Sequence, residues 1–302
     1  MYTFNLEHLK EWQEGAQIAA EAQKYGKHLI KEGASVLEVT QKIEEKIKSM
    51  GGECAFPVNI SRNEVAAHYT AKHNDPLCFG KDVVKLDIGA HKDGFMGDTA
   101  ITIDLTGNWT EMVKASLDAR KNAVKLCTPG STLGEIGKAA NETIESYGFK
   151  TIRNLSGHGI ARYDAHTWPT VPNYDTHDTT ELEEGMIIAI EPFATNGVGL
   201  IKDTPDAEIY NVRQFKPMRL DFSRKILQYI EKKYKLLPFS KRDLSLAGFS
   251  EAHVKITLQQ LELTGSVEKH APLVEKAGGM VTQSEVTLMV KDAPIILTKI
   301  DE

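Results

Sequence analysis

The stretch VVKLDIGAHKDGFMGDTAITIDL, residues 83–105, alternates apolar and polar residues on both sides of a glycine-containing turn. A period of two marks half-buried strands, so residues 83–89 and 97–105 are expected to pair as an antiparallel hairpin. Val84, Leu86 and Ile88 then share one face, and Val83, Lys85 and Asp87 share the other. On the second strand Thr99, Ile101, Ile103 and Leu105 point one way and leave Asp98 on the opposite side. Setting Asp87 across from Asp98 brings two carboxylates to about 5 Å at Cβ, which is destabilising unless something offsets the repulsion. Either one carboxyl holds a proton, or a cation lies between them. Aspartates that merely cap turns would need neither, so the pair alone does not decide the chemistry.

Helices are expected on both sides of this hairpin. GASVLEVTQKIEEKIKSMG (33–51) opens with a capping box, Ser35 and Glu38, carries Val39, Ile43 and Ile47 at helical spacing, and stops at Gly51. GSTLGEIGKAANETIESYG (130–148) repeats the plan 97 residues later, with Thr132 and Glu135, a stripe of Ile136, Ala140 and Ile144, and a stop at Gly148. Each follows another helical stretch and precedes a strand-like one ending in Asn59-Ile60-Ser61 or Asn154-Leu155-Ser156. Such an internal repeat implies two α+β halves related by a pseudo-twofold. Further strands are expected at 185–193 and 283–290. Between these, residues 216–275 have a different texture, reading as two helices separated by Pro238 and a polar loop. We therefore expect a body formed by 1–215 and 276–302 and an inserted helical subdomain at 216–275.

Composition sets the outer limits. The chain has 302 residues, 41% apolar and 26% charged, which suits one large or two smaller globular domains and argues against disorder. It contains no apolar run of the roughly 20 residues needed to span a bilayer, and MYTFNLEHLKEW lacks a signal-peptide layout. A cytoplasmic location is the expectation. Cys54, Cys78 and Cys127 are odd in number and widely spaced, indicating neither a disulfide framework nor a thiolate zinc site. The net charge of −6 is uneven, because residues 216–276 hold 12 Lys and Arg against 7 Asp and Glu.

Three more residues change the reading of the aspartates. His158 lies between Gly157 and Gly159, where missing side chains leave room for a ligand beside the imidazole. Glu191 follows the apolar run MIIAI, and Glu285 sits in the strand-like QSEVTLMV; a charge in either place is expensive unless paired or metal-bound. Together Asp87, Asp98, His158, Glu191 and Glu285 make an oxygen-rich, one-nitrogen set suited to two divalent cations.

The segments AFPVNISRNEVAAHYT, KLDIGAHKDGFMGDTA, RNLSGHGIARYDAH, AIEPFATNG and QSEVTLMV, in this order and over nearly the whole chain, resemble the pita-bread metallopeptidases. The resemblance is to the type 2, archaeal-like methionine aminopeptidases among them, whose insertion looks like the helical segment between Glu191 and Glu285. It implies a pita-bread (creatinase/aminopeptidase) fold, with the insertion forming a winged-helix-like subdomain. It also implies two divalent ions per chain, cobalt, manganese, iron or zinc. Asp87 would chelate one, Asp98 and Glu285 would bridge both, and His158 with Glu191 would complete the other, a shared hydroxide attacking the first peptide bond. By the same resemblance Glu191 shuttles the proton, and His68 and His166 contact the substrate and its tetrahedral intermediate. Phe56, Ala165 and Ile209 would line the methionine pocket, and a small second residue would be preferred. The implied activity is removal of the initiator methionine from nascent chains by a monomer. An X-Pro aminopeptidase or prolidase and a non-catalytic pita-bread scaffold are the alternatives. The basic insertion adds the expectation of ribosomal RNA contact, against that of a plain solvated helical face.

Overall fold

The computed structural model describes residues 3–299; the outermost residues of the expected body, 1–2 and 300–302, lie outside them. Eight helices are found among the described residues: α1 (Thr3–Glu7), α2 (Leu9–Leu29), α3 (Val36–Ser49), α4 (Thr110–Lys125), α5 (Leu133–Ser146), α6 (Asp221–Lys233), α7 (Lys241–Leu246) and α8 (Glu251–Leu263). None of them is long and apolar enough to cross a membrane.

The hairpin forms and is longer than its sequence pattern implies. Its strands, Val83–Lys92 and Phe95–Asp104, pair at ten positions from Val83↔Asp104 to Lys92↔Phe95. Asp93 and Gly94 make the turn with φ of 53° and 84°, the left-handed backbone that a two-residue hairpin loop requires. Strands Glu53–Cys54 and Asn59–Arg62 complete the sheet on the other edge of the first hairpin strand. Helices α2 and α3 cover it, and their stripe of Val39, Ile43 and Ile47 is buried with Val84, Leu86 and Ile88. Only half of the capping box expected at α3 forms: Ser35 accepts from the Glu38 amide at 3.3 Å without a return bond to the Glu38 carboxylate, and Gly51 takes the positive φ that ends the helix. Close packing is enforced at Gly15 of α2, where a Cβ would lie 1.9 Å from the Phe95 carbonyl oxygen.

The second half repeats helices over a sheet with different strand order. Its five strands run Ile295–Ile296, Val286–Met289, Ile187–Ile190, Ser156–Ala161, Asp164–Pro172. Helices α4 and α5 bury Ile136, Ala140 and Ile144 in the core on this side. Both halves of the capping box, Thr132 and Glu135, are made in α5. The triplet match is looser: Asn59-Ile60-Ser61 is strand, whereas only Ser156 of the second triplet is. The halves join where Ala100 bridges Glu285 and the Thr287 hydroxyl bonds the Asp98 backbone, accepting from its amide at 2.7 Å and donating to its carbonyl at 2.8 Å.

A third core is assembled by α6, α7, α8 and the strands Ile209–Val212, Phe239–Ser240 and Val267–His270. Two helices are expected here from sequence and three are found. The short α7 is fixed by a full capping box between Ser240 and Asp243, an S-x-x-D signal that six helical residues carry without an apolar period to advertise it. Arg242 of α7 reaches across to Glu44 of α3 and forms a buried two-pronged pair, Nη1 to Oε2 at 3.1 Å and Nη2 to Oε1. This pair ties the third core to the hairpin half. Removing one partner strands a buried charge, so Arg242→Met is expected to lower stability by about 3 kcal/mol or more in urea unfolding. Glu44→Leu with Arg242→Met is expected to recover much of that loss.

Candidate metal centre

The turn sets how the two aspartates meet. With Asp93-Gly94 as the loop, Asp87 lies opposite Ala100 and Asp98 opposite Gly89. The expectation that Asp87 and Asp98 face each other directly is therefore wrong by one diagonal step, because the Asp-Gly turn fixes the register. The two still share a face, near enough that, beyond burial, the charge of Asp87 raises the pKa of Asp98.

The other three side chains arrive from the second half. His158 stands on Ser156–Ala161, Glu191 directly follows Ile187–Ile190, and Glu285 directly precedes Val286–Met289, with these strands adjacent in the sheet. Asp98, His158 and Glu285 each offer an atom within 4.8 Å of the others. His158 Nε2 is 3.6 Å from both Asp98 Oδ2 and Glu191 Oε1. Its Nδ1 is 3.1 Å from the Gly159 carbonyl, which accepts from the Nδ1–H tautomer and leaves the Nε2 lone pair toward the carboxylates. Gln283 Nε2 donates to Glu191 Oε2 at 3.4 Å and to Glu285 Oε2 at 3.3 Å.

Electrostatically the cluster is unfinished. Burial, and then the neighbouring carboxylates, push Asp98 and Glu285 well above the usual carboxyl range. Glu191 is raised in the same way by burial and by Asp87, and burial lifts Asp87 to about 7. Asp87 Oδ1 and Asp98 Oδ1 are buried oxygens with no protein donor. Four carboxyls, Asp98 and Glu285 buried and Asp87 and Glu191 half-buried, converge on unfilled acceptor positions, and among the described residues one side-chain amide, Gln283, is directed at two of them. That donor set fits divalent cations, which replace protons and supply the missing positive charge. None of the three cysteines lines the cleft above it.

This cleft has a volume of about 540 Å³. Phe56, His68, His166 and Ile209 line it, whereas Ala165 is buried behind it in a cluster that also holds Phe56. The Phe56 ring occupies space that only Gly89 permits, since a Cβ there would come within 2.2 Å of it. His68 has φ of 65° and a buried Nδ1 without a partner, and burial lowers its pKa to about 4. The His166 ring packs 4.3 Å from that of His158. Two residues beside the acids or in the cleft wall escape the sequence reading. His270 lines the wall with Nε2 2.9 Å from Asn211 Oδ1 and its ring 5.5 Å from His68. The other is Gln283. Its place two residues before Glu285, on the same strand face, was a usable signal; His270 had none, since its pairing with Ile209 depends on the third core.

Residues 10–219 match the pattern described as Metallopeptidase family M24. A methionine aminopeptidase of Archaeoglobus fulgidus is 43% identical over 94% of this chain and 96% of its own length. The chain belongs to metallopeptidase family M24, among the methionine aminopeptidases. Solved M24-like folds agree: the methionine aminopeptidase of Thermotoga maritima superposes with a TM-score of 0.72 at 22% identity, covering 97% of each chain. A thermophilic Arx1 gives 0.85 at 15% identity over 96% of this chain and 90% of its own. The α+β pita-bread architecture expected from the sequence is the one observed.

Family membership and the buried cluster agree on divalent-metal binding. Its pH dependence has a definite sign. Raised carboxyl pKa values stabilise the metal-free fold while the carboxyls are protonated, and that stabilisation is lost as pH rises through about 7 for Asp87. His158, lowered to about 4, is neutral throughout this range. The gain in Tm from saturating manganese over chelator-treated protein is therefore expected to grow from about pH 6 to about pH 8. A pH-independent gain would contradict it.

Proposed function

We propose that this chain removes N-terminal methionine from newly made polypeptides. The observation that carries the reading is the convergence of Asp87, Asp98, His158, Glu191 and Glu285 at the floor of a cleft walled by Phe56, His68 and His166. Two divalent ions would be held there, Asp87 chelating one, Asp98 and Glu285 shared, and His158 with Glu191 on the other. Cobalt, manganese, iron and zinc all suit such ligands, and availability selects among them. When bound, the ions supply Lewis acidity to the scissile carbonyl and acidity to a water.

The chain's own groups do the rest. A carboxylate oxygen of Glu191 takes the proton from the attacking water and returns it to the leaving amine. His68 and His166, kept neutral, donate N–H groups to the oxygen that gains charge as the carbonyl becomes tetrahedral. Phe56 and Ile209, backed by Ala165, bury the unbranched thioether of the first residue. The free α-amine pairs with the acidic floor, which restricts cleavage to the first bond, and bulk at the second residue is disfavoured beside it.

In this reading the body, 1–215 and 276–302, carries the chemistry, and the winged-helix-like insertion, 216–275, supplies one cleft wall. The protein works as a cytoplasmic monomer, and the basic insertion favours ribosomal RNA near nascent chains. Lys235 is partly engaged already, with Nζ 3.2 Å above the Tyr163 ring, and Lys233 packs on Tyr234.

Met-Ala-Ser is expected to be cleaved in the presence of manganese or cobalt and Ala-Pro-Ala to be left intact; turnover of only the second would make the chain an X-Pro peptidase. Asp87→Asn and Asp98→Asn should each lose roughly 100-fold or more in activity together with bound metal, as read by elemental analysis. His68→Ala and His166→Ala should keep the metal and lose about 100-fold or more in kcat. Reversing Lys232, Lys233 and Lys235 to Glu should weaken co-sedimentation with ribosomes at low salt, and unchanged co-sedimentation would exclude that contact.

A further inference from the structure

An exposed tryptophan stands on the lip of the cleft. Trp168 is 57% exposed, lines the cleft, and has no aromatic or cationic ring partner among the described residues. Burying so large an apolar surface is normally favourable, and Trp12 elsewhere in the chain is fully buried. Leaving the Trp168 indole open calls for a reason at this position.

The local backbone supplies the geometry. Strand Asp164–Pro172 is the edge of the five-stranded sheet, and its exposed positions alternate at His166, Trp168 and Thr170. All three line the cleft, placing Trp168 about 7 Å along the strand from His166. Pairing jumps from His158↔Thr170 to Gly159↔Thr167, so Trp168 and Pro169 are two extra residues pushed out of the ladder. A bulge of this kind re-aims a side chain beside a site. Arg213, just before the insertion, and Glu268 within it bring to the same cleft an ion pair whose Nε to Oε2 distance is 2.6 Å. The mouth thus offers one flat apolar surface together with a donor and an acceptor, which is the chemistry that grips an extended peptide.

We propose that Trp168 is a specificity-determining platform for the part of the substrate beyond its second residue, packing its indole on the peptide that leaves the metal centre through the cleft mouth. The proposal rests on the reading of the cleft as a peptidase site. The occupant is the substrate itself: the platform adjoins His166 without a break, and the first two substrate residues are accounted for by the pocket and the floor. Contacts this far from the bond are made with the chain length of the substrate, so they are read as a dependence on length.

The test is the ratio of kcat/KM for the hexapeptide Met-Ala-Ser-Lys-Gly-Leu to that for Met-Ala, measured with manganese-loaded wild type, Trp168→Ala and Trp168→Phe. The wild-type ratio should exceed one. It should fall about 5- to 10-fold in Trp168→Ala, mainly through KM, the size of one lost aromatic contact, and recover substantially in Trp168→Phe. The hexapeptide should also shift wild-type fluorescence in a way that Trp168→Phe abolishes. An unchanged ratio, including an equal loss on both peptides as for a structural defect, overturns the platform. If the wild type cleaves Ala-Pro peptides and not Met peptides, the activity reading fails, and the same length series built on Ala-Pro then decides the platform.

Discussion

Mutual repulsion among Asp87, Asp98, Glu191 and Glu285 is the constraint around which this molecule is arranged. Each is raised above the normal carboxyl range chiefly by burial, and three of the four are raised further by another member of the set. Such a cluster is stable only if the scaffold holding it is stiff and a positive charge replaces the protons. The scaffold satisfies the first condition by drawing two of the acids, Asp87 and Asp98, from strands and the other two from positions directly adjoining strands. Asp98 is clamped at both backbone atoms by the Thr287 hydroxyl, and Glu285 bridges Ala100, so the two sheets are joined at the acids themselves. The metal-binding cluster and the seam between the two halves are here the same set of contacts.

That arrangement explains the distribution of small residues. Gly89 gives the Phe56 ring its place beside the acids, and Gly157 and Gly159 let neighbouring backbone approach within 2.2 Å of where a Cβ would be. The acids at the centre and the apolar wall beside them both occupy space that side chains at these glycines would fill. The left-handed backbone at His68 belongs to the same economy, since a non-glycine residue with positive φ persists only where its surroundings hold it there.

Much of this is legible in the sequence because it is local. Both amphipathic helices, their caps and their glycine stops were readable, as was the odd placement of Glu191 after an apolar run. The register of the hairpin is legible as well in Asp93-Gly94, a two-residue turn signal from which the diagonal placement of Asp87 and Asp98 follows. What could not be read depends on chain-distant packing. Arg242 meets Glu44 across 198 positions, and His270 reaches the cleft only because the third core pairs its strand with Ile209–Val212. Short α7 lacked the length for a periodic signal, although its capping box was present.

The contrast between floor and walls has a functional consequence. The floor is built from acids on or directly beside strands of two sheets that are joined at Asp98 and Glu285. Part of the wall, Phe56, His68 and His166, comes from the same two halves, but Ile209, Arg213, Glu268 and His270 belong to or adjoin the third core, and Trp168 to a bulge on an edge strand. Edge strands and separately packed cores accept substitutions and insertions without disturbing the ladder that holds the acids. Floor and walls are therefore mechanically separable in part, and the buried Glu44–Arg242 pair is one contact that sets where the third core stands relative to the hairpin. Selection can reshape what the cleft accepts by acting on the walls, while the repulsive floor continues to demand the same cations.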